Sequence, residues 1–287
     1  SNPDGKHPPM SYITATTLED ALNRLAAGPA SVIAGGTDWF PAQGDKQFRG
    51  TLLDISGLSE LRGITRTNDG WTIGAATTWT DIVNADLPAA FNGLKQAARE
   101  VGSIQIQNVG TIAGNLCNAS PAADGVPPLL SLGAEVELAT ARMTRRLPLG
   151  DFLLGVRRTD RADDELVTAI HIPACSPNSC GSFLKLGTRK YLVISICMVA
   201  VLATVEEGKL SDIAIAIGAA SPVTLRLPAL ENHLRTLPVI DVSRHVTAAM
   251  VTGLSPIADI RASAEYRDAA SAEVIRRAIS LALEGKA

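Results

Sequence analysis

Hydrophobic and polar positions recur along the chain with the spacings of amphipathic helices and short strands. After Thr17, which can act as an N-cap, leucine and alanine recur every three or four residues, and Gly28-Pro29 ends the pattern. This spacing predicts an N-terminal helix. A second helix is predicted from Pro88 to Val101, where apolar side chains again fall on one face.

Runs with the composition of strands lie between and after these helices. The run that begins at Ser31 predicts a short buried strand that enters a glycine turn, and Asn68-Asp69-Gly70 is a strong turn signal before a later run. The strand-like runs in this part of the chain span residues 31–36, 50–56, 71–77, 134–140 and 165–173.

The pattern changes at residues 174–181, which are rich in turn-forming residues and poor in apolar bulk. Such a stretch is typical of a domain boundary. We therefore predict one domain over residues 1–176 and a second over residues 177–287.

Three strand-like runs in series follow this boundary, at residues 182–187, 193–206 and 212–220. They predict a three-stranded antiparallel meander in which the turn at 206–209 is one connection. The remainder is predicted to be largely helical, ending in an amphipathic helix over 271–285.

Composition narrows the class of protein. The chain has 287 residues, of which 46% are hydrophobic and 19% charged, so it can bury a sizeable core. A net charge of −3 and the lack of long basic runs argue against general nucleic-acid binding. The pairs Arg145-Arg146 and Arg157-Arg158 are expected on a solvated face.

The longest apolar run, at 191–205, is too short to span a membrane and predicts a buried strand. No signal peptide is visible, so we expect a cytoplasmic protein without a membrane span.

The cysteines and histidines form no pattern typical of a metal site or a nucleophile. Cys175 and Cys180 have no second pair or histidine cluster near them in the sequence, so no metal ligands are assigned. His171 alternates with Ile170 and Ile172 and is expected to be a solvated strand residue. Cys117 is expected to be a small packing residue, and no catalytic side chain is assigned.

Two glycine-containing segments are candidates for ligand binding. Ala34-Gly35-Gly36-Thr37-Asp38 directly follows a predicted strand, and residues 110–115 form a second segment of small side chains. Successive backbone N–H groups with little side chain around them can bind anions such as pyrophosphate. Neither segment matches a Walker or Rossmann motif, and each alone could be a tight turn.

Together and in this order, the segments resemble the FAD-binding medium subunit of the molybdenum hydroxylases, the xanthine dehydrogenase and carbon monoxide dehydrogenase family. The resemblance covers nearly the whole chain with suitable spacing. The matching motifs are Ala34 to Asp38, Asn108 to Asn115, Ala119 to Asp124, the run from Glu165 to Pro173, and the positions Phe183, Lys185, Arg189, Ile194, Ser195, Val199 and Ala200.

This resemblance implies an α+β fold: a two-lobed FAD-binding domain of the vanillyl-alcohol-oxidase (PCMH) type, split near residue 60, and a C-terminal three-stranded antiparallel sheet with helices. It also implies an oxidoreductase subunit of a xanthine dehydrogenase-like complex. A large subunit would carry the molybdenum cofactor, and a small subunit would carry [2Fe–2S] clusters. FAD on this chain would take electrons from those clusters and pass them to NAD⁺ or another acceptor.

Cofactor-binding positions are implied in the same way. Asp124 matches the acid that binds hydroxyl groups of FAD, and Lys185 matches a lysine at the pyrimidine edge of the flavin, where a cation would stabilise negative charge. Leu166 and Val167 match the strand that packs on the isoalloxazine ring. The implied FAD contacts are Val32, Ile33, Ala34, Gly35, Gly36, Thr37, Asp38, Trp39, Gly110, Thr111, Ala113, Gly114, Asn115, Ser120, Asp124, Leu166, Val167, Lys185 and Tyr191.

Two positions depart from the family pattern. Ala113 replaces a glycine and suits the same turn only if its φ is negative, and Gln107 stands where many members have arginine. Two other functions are kept open: a self-contained flavoprotein oxidoreductase, and a non-enzymatic nucleotide-binding or assembly module, which the alanine at position 113 slightly favours.

Overall fold

The computed structural model describes residues 10–34, 50–190, 193–251 and 264–285, with their side chains except at 188–196 and 264–268. In chain order the strands are β1 (Ser11–Thr14), β2 (Ser31–Ile33), β3 (Thr51–Asp54), β4 (Ile64–Thr67), β5 (Gly70–Gly74), β6 (Glu135–Ala139), β7 (Thr144–Pro148), β8 (Leu153–Gly155), β9 (Arg158–Thr159), β10 (Leu166–Pro173), β11 (Ser179–Lys190), β12 (Val193–Glu206), β13 (Lys209–Gly218) and β14 (Leu225–Arg226). The α-helices are α1 (Leu18–Ala27), α2 (Trp79–Asn84), α3 (Asn92–Glu100), α4 (Ile104–Val109), α5 (Ile112–Asn118), α6 (Val126–Ser131), α7 (Leu149–Phe152), α8 (Pro228–Leu234) and α9 (Ala264–Glu284).

The N-terminal part folds as a small parallel sheet covered by α1. The strand order is β1-β3-β2, with β3 paired in parallel to both neighbours. Thr17 caps α1 by accepting a hydrogen bond from the N–H of Asp20 at 3.0 Å, as the sequence predicts. Ala21 and Leu25 on the buried face of α1 pack against Leu53 of the sheet.

A five-stranded antiparallel sheet follows, in the order β4-β5-β10-β6-β7. The predicted runs at 71–77, 134–140 and 165–173 form its three central strands, and the Asn68-Asp69 turn joins β4 to β5. Helices cover one face, where Trp79, Phe91 and Leu116 are fully or almost fully buried in the largest core cluster. The edge strands β4 and β7 are exposed and were not predicted.

His171 on β10 differs from its expected solvated position. Its side chain is only 14% exposed, and its ring lies between Thr72 and Glu137 of the neighbouring strands. The Nδ1 atom is 3.2 Å from Thr72 Oγ1, and the Nε2 atom is 3.1 Å from Glu137 Oε1. The strand alternation is correct, but this face of the sheet carries polar side chains that surround the ring.

The C-terminal sheet has the order β11-β12-β13-β14 and is antiparallel throughout. The prediction of a three-stranded sheet is corrected, because β14 adds a fourth strand opposite Ala216 and Ile217. Two residues are too few to show periodicity, so the sequence gives no signal for β14. Helices α8 and α9 pack on this sheet, with Leu230, Leu234 and Ile275 fully buried.

The two parts of the chain meet where α3 packs closely on β11. A Cβ atom at Gly93 would lie 2.7 Å from the carbonyl oxygen of Ser182, and one at Gly181 would lie 2.5 Å from that of Ala90. Glycine is therefore required on both sides of this contact. The N–H of Phe183 also donates to Gln96 Oε1 at 2.8 Å. The division into domains at residue 176 and near residue 60 stays a prediction.

Among the helices in the described ranges, none combines the length and apolar character needed to cross a membrane. Within the same ranges, no three histidine, cysteine, aspartate or glutamate side chains come together in a way that could hold a metal ion.

Candidate functional site

A cavity of about 710 Å³ lies between the end of β2, helix α5, the β8–β9 hairpin and the start of β10. Elements that are far apart in sequence thus share one concave surface, in the size range of small-molecule and cofactor sites. Seven predicted positions line it: Val32, Ile33, Ala34, Ala113, Gly114, Leu166 and Val167.

The remaining predicted positions fall into two groups. Gly35, Gly36, Thr37, Asp38, Trp39 and Tyr191 lie outside the described residues. Gly110, Thr111, Asn115, Ser120, Asp124 and Lys185 are described but do not line this cavity. Ser120 organises the turn after α5, where its hydroxyl accepts a hydrogen bond from the N–H of Ala122 at 3.2 Å.

The second glycine segment forms the start of a helix. Thr111 is the N-cap of α5, and its hydroxyl accepts a hydrogen bond from the N–H of Gly114 at 3.0 Å. The N–H groups of Ile112 and Ala113 donate to the carbonyl oxygens of Thr77 and Ala75 at 3.0 and 3.2 Å. The prediction of an anion-binding nest is therefore wrong for these three N–H groups.

The helix also explains how alanine fits at position 113. Ala113 lies in the first turn of α5 and does not have a positive φ. Alanine is the most favourable residue in a helix, so the change from glycine costs nothing here. The local departure from the family pattern does not disturb the segment.

One buried polar atom next to this helix lacks a partner. Asn115 Oδ1 has no hydrogen-bond donor within the described part of the chain. It faces the backbone of Gly125, where an added Cβ atom would lie 2.9 Å away. An unpaired buried carbonyl is unfavourable by about 1–3 kcal/mol, so the atom is suited to a donor from a ligand.

Asp124 and Lys185 form an ion pair between the segment after α5 and strand β11. The Lys185 Nζ atom lies 2.8 Å from Asp124 Oδ1. Burial raises the pKa of Asp124, and the lysine opposes that change by stabilising the carboxylate. Burial also raises the pKa of Glu100, and the negative charge of Asp124 adds to the effect. Two acids therefore lie near one ammonium group.

Three arginines on the cavity wall were missed by sequence reasoning. Arg157, Arg158 and Arg161 line the cavity, and Arg157 and Arg158 are also exposed, as the sequence predicts for this pair. A basic pair in a loop has the same local pattern whether it faces solvent or a cavity. Only the packing of the β8–β9 hairpin beside α5 distinguishes the two cases.

Comparison with known proteins decides the family. The FAD-binding domain of molybdopterin dehydrogenases matches residues 8–175, and the C-terminal domain of carbon monoxide dehydrogenase flavoproteins matches residues 182–282. The chain belongs to the FAD-binding subunits of the molybdenum hydroxylase family. Such subunits are parts of oxidoreductases, so the predicted family and enzyme class are confirmed.

Relatives of this FAD-binding subunit include a putative xanthine dehydrogenase FAD-binding subunit of Escherichia coli (strain K12). It is 32% identical over 264 residues, which cover 90% of each chain. The nicotine 6-hydroxylase medium subunit of Paenarthrobacter nicotinovorans is 30% identical over 96% of this chain and 97% of its own.

The fold of a solved relative agrees with these sequences. Carbon monoxide dehydrogenase from Hydrogenophaga pseudoflava, in a form that lacks the Mo-pyranopterin moiety, superposes with a TM-score of 0.83 at 26% identity. The similarity covers 97% of this chain and 99% of that chain. The α+β fold of the carbon monoxide dehydrogenase flavin subunits is thus shared over nearly the whole length.

The described residues of this FAD-binding subunit fit the cofactor of its family. The cavity combines an apolar wall, at Ile33, Leu166 and Val167, with cationic side chains, as a dinucleotide with rings and phosphates requires. The orphaned Oδ1 atom of Asn115 lies on α5 just after Ala113 and Gly114, which line the cavity, although Asn115 itself does not line it.

Proposed function

We propose that this chain binds FAD and acts as the electron-transfer subunit of a xanthine dehydrogenase-like molybdenum hydroxylase. The observation that carries the proposal is the shared cavity of β2, α5 and β10, which brings together positions from three separate family motifs. Bound FAD supplies a redox group that exchanges electrons with both iron–sulfur clusters and two-electron acceptors.

The chain's own residues bind and orient the cofactor. Val32, Ile33 and Ala34 on one side and Leu166 and Val167 on the other form walls against which flat or apolar parts of the ligand can pack. Because α5 already has its first N–H groups paired, it acts as a rigid support. This pairing keeps Ala113 and Gly114 in place at the cavity surface.

Asp124 has a free acceptor for a ligand hydroxyl. Its Oδ1 atom binds Lys185, whereas Oδ2 has no hydrogen-bond partner within the described residues. A hydrogen bond from a hydroxyl to a charged carboxylate is stronger than one between neutral groups. We propose that Asp124 accepts from FAD hydroxyl groups and that Lys185 holds the carboxylate in position and supplies positive charge to the flavin.

The partners follow from the same proposal. The nicotine 6-hydroxylase and carbon monoxide dehydrogenase relatives are named as a medium subunit and a medium chain. We propose that this chain assembles with a large molybdopterin-binding subunit and a small [2Fe–2S] subunit. We propose NAD⁺ as the acceptor of electrons from the reduced flavin, and it is the first acceptor to test.

The test is the visible absorbance spectrum of the purified chain, recorded before FAD is added and after FAD addition and desalting. We expect retained flavin bands, and we expect NADH to bleach them under anaerobic conditions. Asp124→Ala should reduce retention of FAD, whereas Asp212→Ala, which removes an exposed acid paired with Arg235, should not.

Each part of the proposal can fail separately. A chain that stays colourless with excess FAD, and also when co-expressed with both partner subunits, would overturn the FAD assignment. Flavin bands that NADH leaves unchanged, in the chain and in the complex, would overturn the choice of nicotinamide as acceptor.

A further inference from the structure

The charge of the cavity wall is opposite in sign to that of the whole chain. Among the described residues, three arginines, Arg157, Arg158 and Arg161, line the cavity together with one acid, Asp163. The chain as a whole has a formal net charge of −3. Positive charge is therefore concentrated at this cavity, where it favours an anionic ligand.

No carboxylate in the described residues forms an ion pair with these three arginines. Arg157 donates to the neutral amide oxygen of Asn118. Arg161 donates to the carbonyl oxygens of Glu165 and Ala162 at 2.7 and 3.2 Å. Hydrogen bonds to neutral groups thus hold Arg157 and Arg161 in place. The charge of Arg161 also acts on the Glu165 carboxylate, whose pKa is lowered chiefly by its hydrogen bonds from Arg145.

The hairpin that carries two of these arginines is fixed to α5. The N–H of Arg157 donates to the carbonyl oxygen of Ala119 at 2.9 Å. Both residues have left-handed backbone conformations, with φ of 56° at Arg157 and 47° at Ala119. Such conformations are unfavourable outside glycine and persist only where the surroundings impose them. The hairpin is thereby held at the cavity edge.

Other donors near α5 are already in use. The N–H groups of Ile112, Ala113 and Gly114 are hydrogen-bonded within the protein. These three N–H groups are therefore unavailable to an anion, which makes the side chains of the cavity wall candidate donors. A guanidinium group offers two parallel N–H donors that match phosphate oxygens and cannot lose its charge.

We propose that Arg157 and Arg158, with the neighbouring Arg161, bind the diphosphate of the dinucleotide cofactor. The inference rests on the proposed function, because the dinucleotide is FAD. It assigns diphosphate recognition to the arginine side chains of the β8–β9 hairpin. This role is additional to the anion-binding role predicted for the first glycine segment, Ala34 to Asp38.

The test uses the 287-residue chain freed of cofactor and measures the dissociation constants of FAD, ADP and adenosine by calorimetry. Arg157→Gln/Arg158→Gln should bind ADP and FAD about tenfold or more weakly, because charge-assisted hydrogen bonds to phosphate are lost. Adenosine, which lacks phosphate, should bind equally to both proteins. The affinity of the variant for ADP should also depend less on salt.

The control is Arg142→Gln, which removes one arginine charge from an exposed turn between β6 and β7 that does not line the cavity, and which matches the single variant Arg158→Gln. It should leave all three dissociation constants unchanged. If the double variant unfolds, Arg158→Gln alone removes one cation and leaves the hydrogen bond between Arg157 and Asn118 intact.

The experiment distinguishes a failure of the arginine site from a failure of the proposed FAD binding. Wild-type and variant chains that bind FAD and ADP equally would overturn the arginine site and leave FAD binding in place. Arginine-dependent binding of ADP by a chain that never binds FAD, alone or with its partners, would support the site and overturn the proposed function.

Discussion

Among single residues, Cys117 offers a direct test of the chemistry at the cavity. Its thiol lines the cavity, and burial raises its pKa to about 11. Thiolate is the reactive form, so near pH 8 only about one thiol in a thousand is reactive at any moment. We expect iodoacetamide to modify Cys117 slowly, with a rate that rises about tenfold for each pH unit up to the pKa.

Peptide mass spectrometry after timed alkylation would measure this rate, with glutathione as a thiol of ordinary pKa for comparison. Bound FAD should slow the reaction further by filling the cavity. Modification near neutral pH as fast as that of glutathione would contradict the assignment of Cys117 as an unreactive wall residue.

A second prediction for a single residue concerns Asn115, whose replacement should affect protein stability and FAD binding in opposite directions. Replacing it with alanine removes the buried Oδ1 atom that has no partner in the described residues. The cofactor-free protein should therefore lose no stability and could gain up to about 1 kcal/mol. Binding of FAD should weaken about tenfold if the cofactor supplies the missing donor.

Thermal unfolding of Asn115→Ala with and without FAD measures both effects. An apo protein that unfolds several degrees earlier than wild type would show that the amide has a structural role, and the prediction would then fail.

Among single residues, cavity positions that belong to sequence motifs were easier to predict than the arginines of the cavity wall. Ala34, Ala113 and Val167 could be placed near a ligand because they sit in recognisable motifs, and they do line the cavity. Arg157 and Arg158 could not, because their position depends on a hydrogen bond to Ala119, nearly 40 residues earlier in the chain. Long-range contacts of this kind leave no local pattern.

Among the elements, α5 shows why small residues are hard to interpret. The segment at 110–115 has the composition of a glycine turn, yet the Thr111 hydroxyl caps it as a helix. Leu116 and Ile112 anchor that helix in the main core. The long strands and α1 were predictable because their periodicity extends over many residues, whereas β14 and α5 depend on tertiary contacts.

The contact between α8 and the edge of the C-terminal sheet supports a stability prediction. Glu231 is buried, and its carboxylate accepts from Arg226 Nε and Nη2 at 2.6 and 2.7 Å and from the N–H of Ile215 at 2.8 Å. Glu231→Ala leaves a cation and an N–H group without partners. We expect the free energy of unfolding to fall by about 2 kcal/mol or more.

Chemical denaturation would measure this change. Glu273→Ala is the matched control, because Glu273 pairs with Arg276 and Arg277 at the surface, and its loss should destabilise the protein much less. Equal losses for the two variants would show that burial of Glu231 does not matter.

In the whole molecule, the candidate site depends on how the two parts of the chain pack. Asp124 belongs to the segment after α5 and Lys185 to β11, and their ion pair joins the two parts. The same two parts meet at the contact between α3 and β11, where Ala97 packs with Phe183. The sequence could suggest a boundary near residue 176, but the packing that brings Asp124 to Lys185 could be anticipated only through the family resemblance.

This packing can be tested at Gly181, four positions before Lys185 on β11. A methyl group there would lie 2.5 Å from the carbonyl oxygen of Ala90, and backbone cannot move aside as a flexible side chain can. We expect Gly181→Ala to destabilise the protein by about 1–3 kcal/mol. It should also weaken FAD binding, because β11 must shift relative to the segment that carries Asp124.

Gly57→Ala provides the control, since a Cβ atom at Gly57 would meet nothing within 4 Å and its φ is not in the left-handed range. It should leave stability within about 1 kcal/mol of wild type and FAD affinity unchanged. Thermal unfolding and FAD titration of both variants separate the two effects. If Gly181→Ala lowered stability but left FAD affinity unchanged, the cofactor would not depend on the position of β11, and Lys185 would lose its proposed role at the flavin.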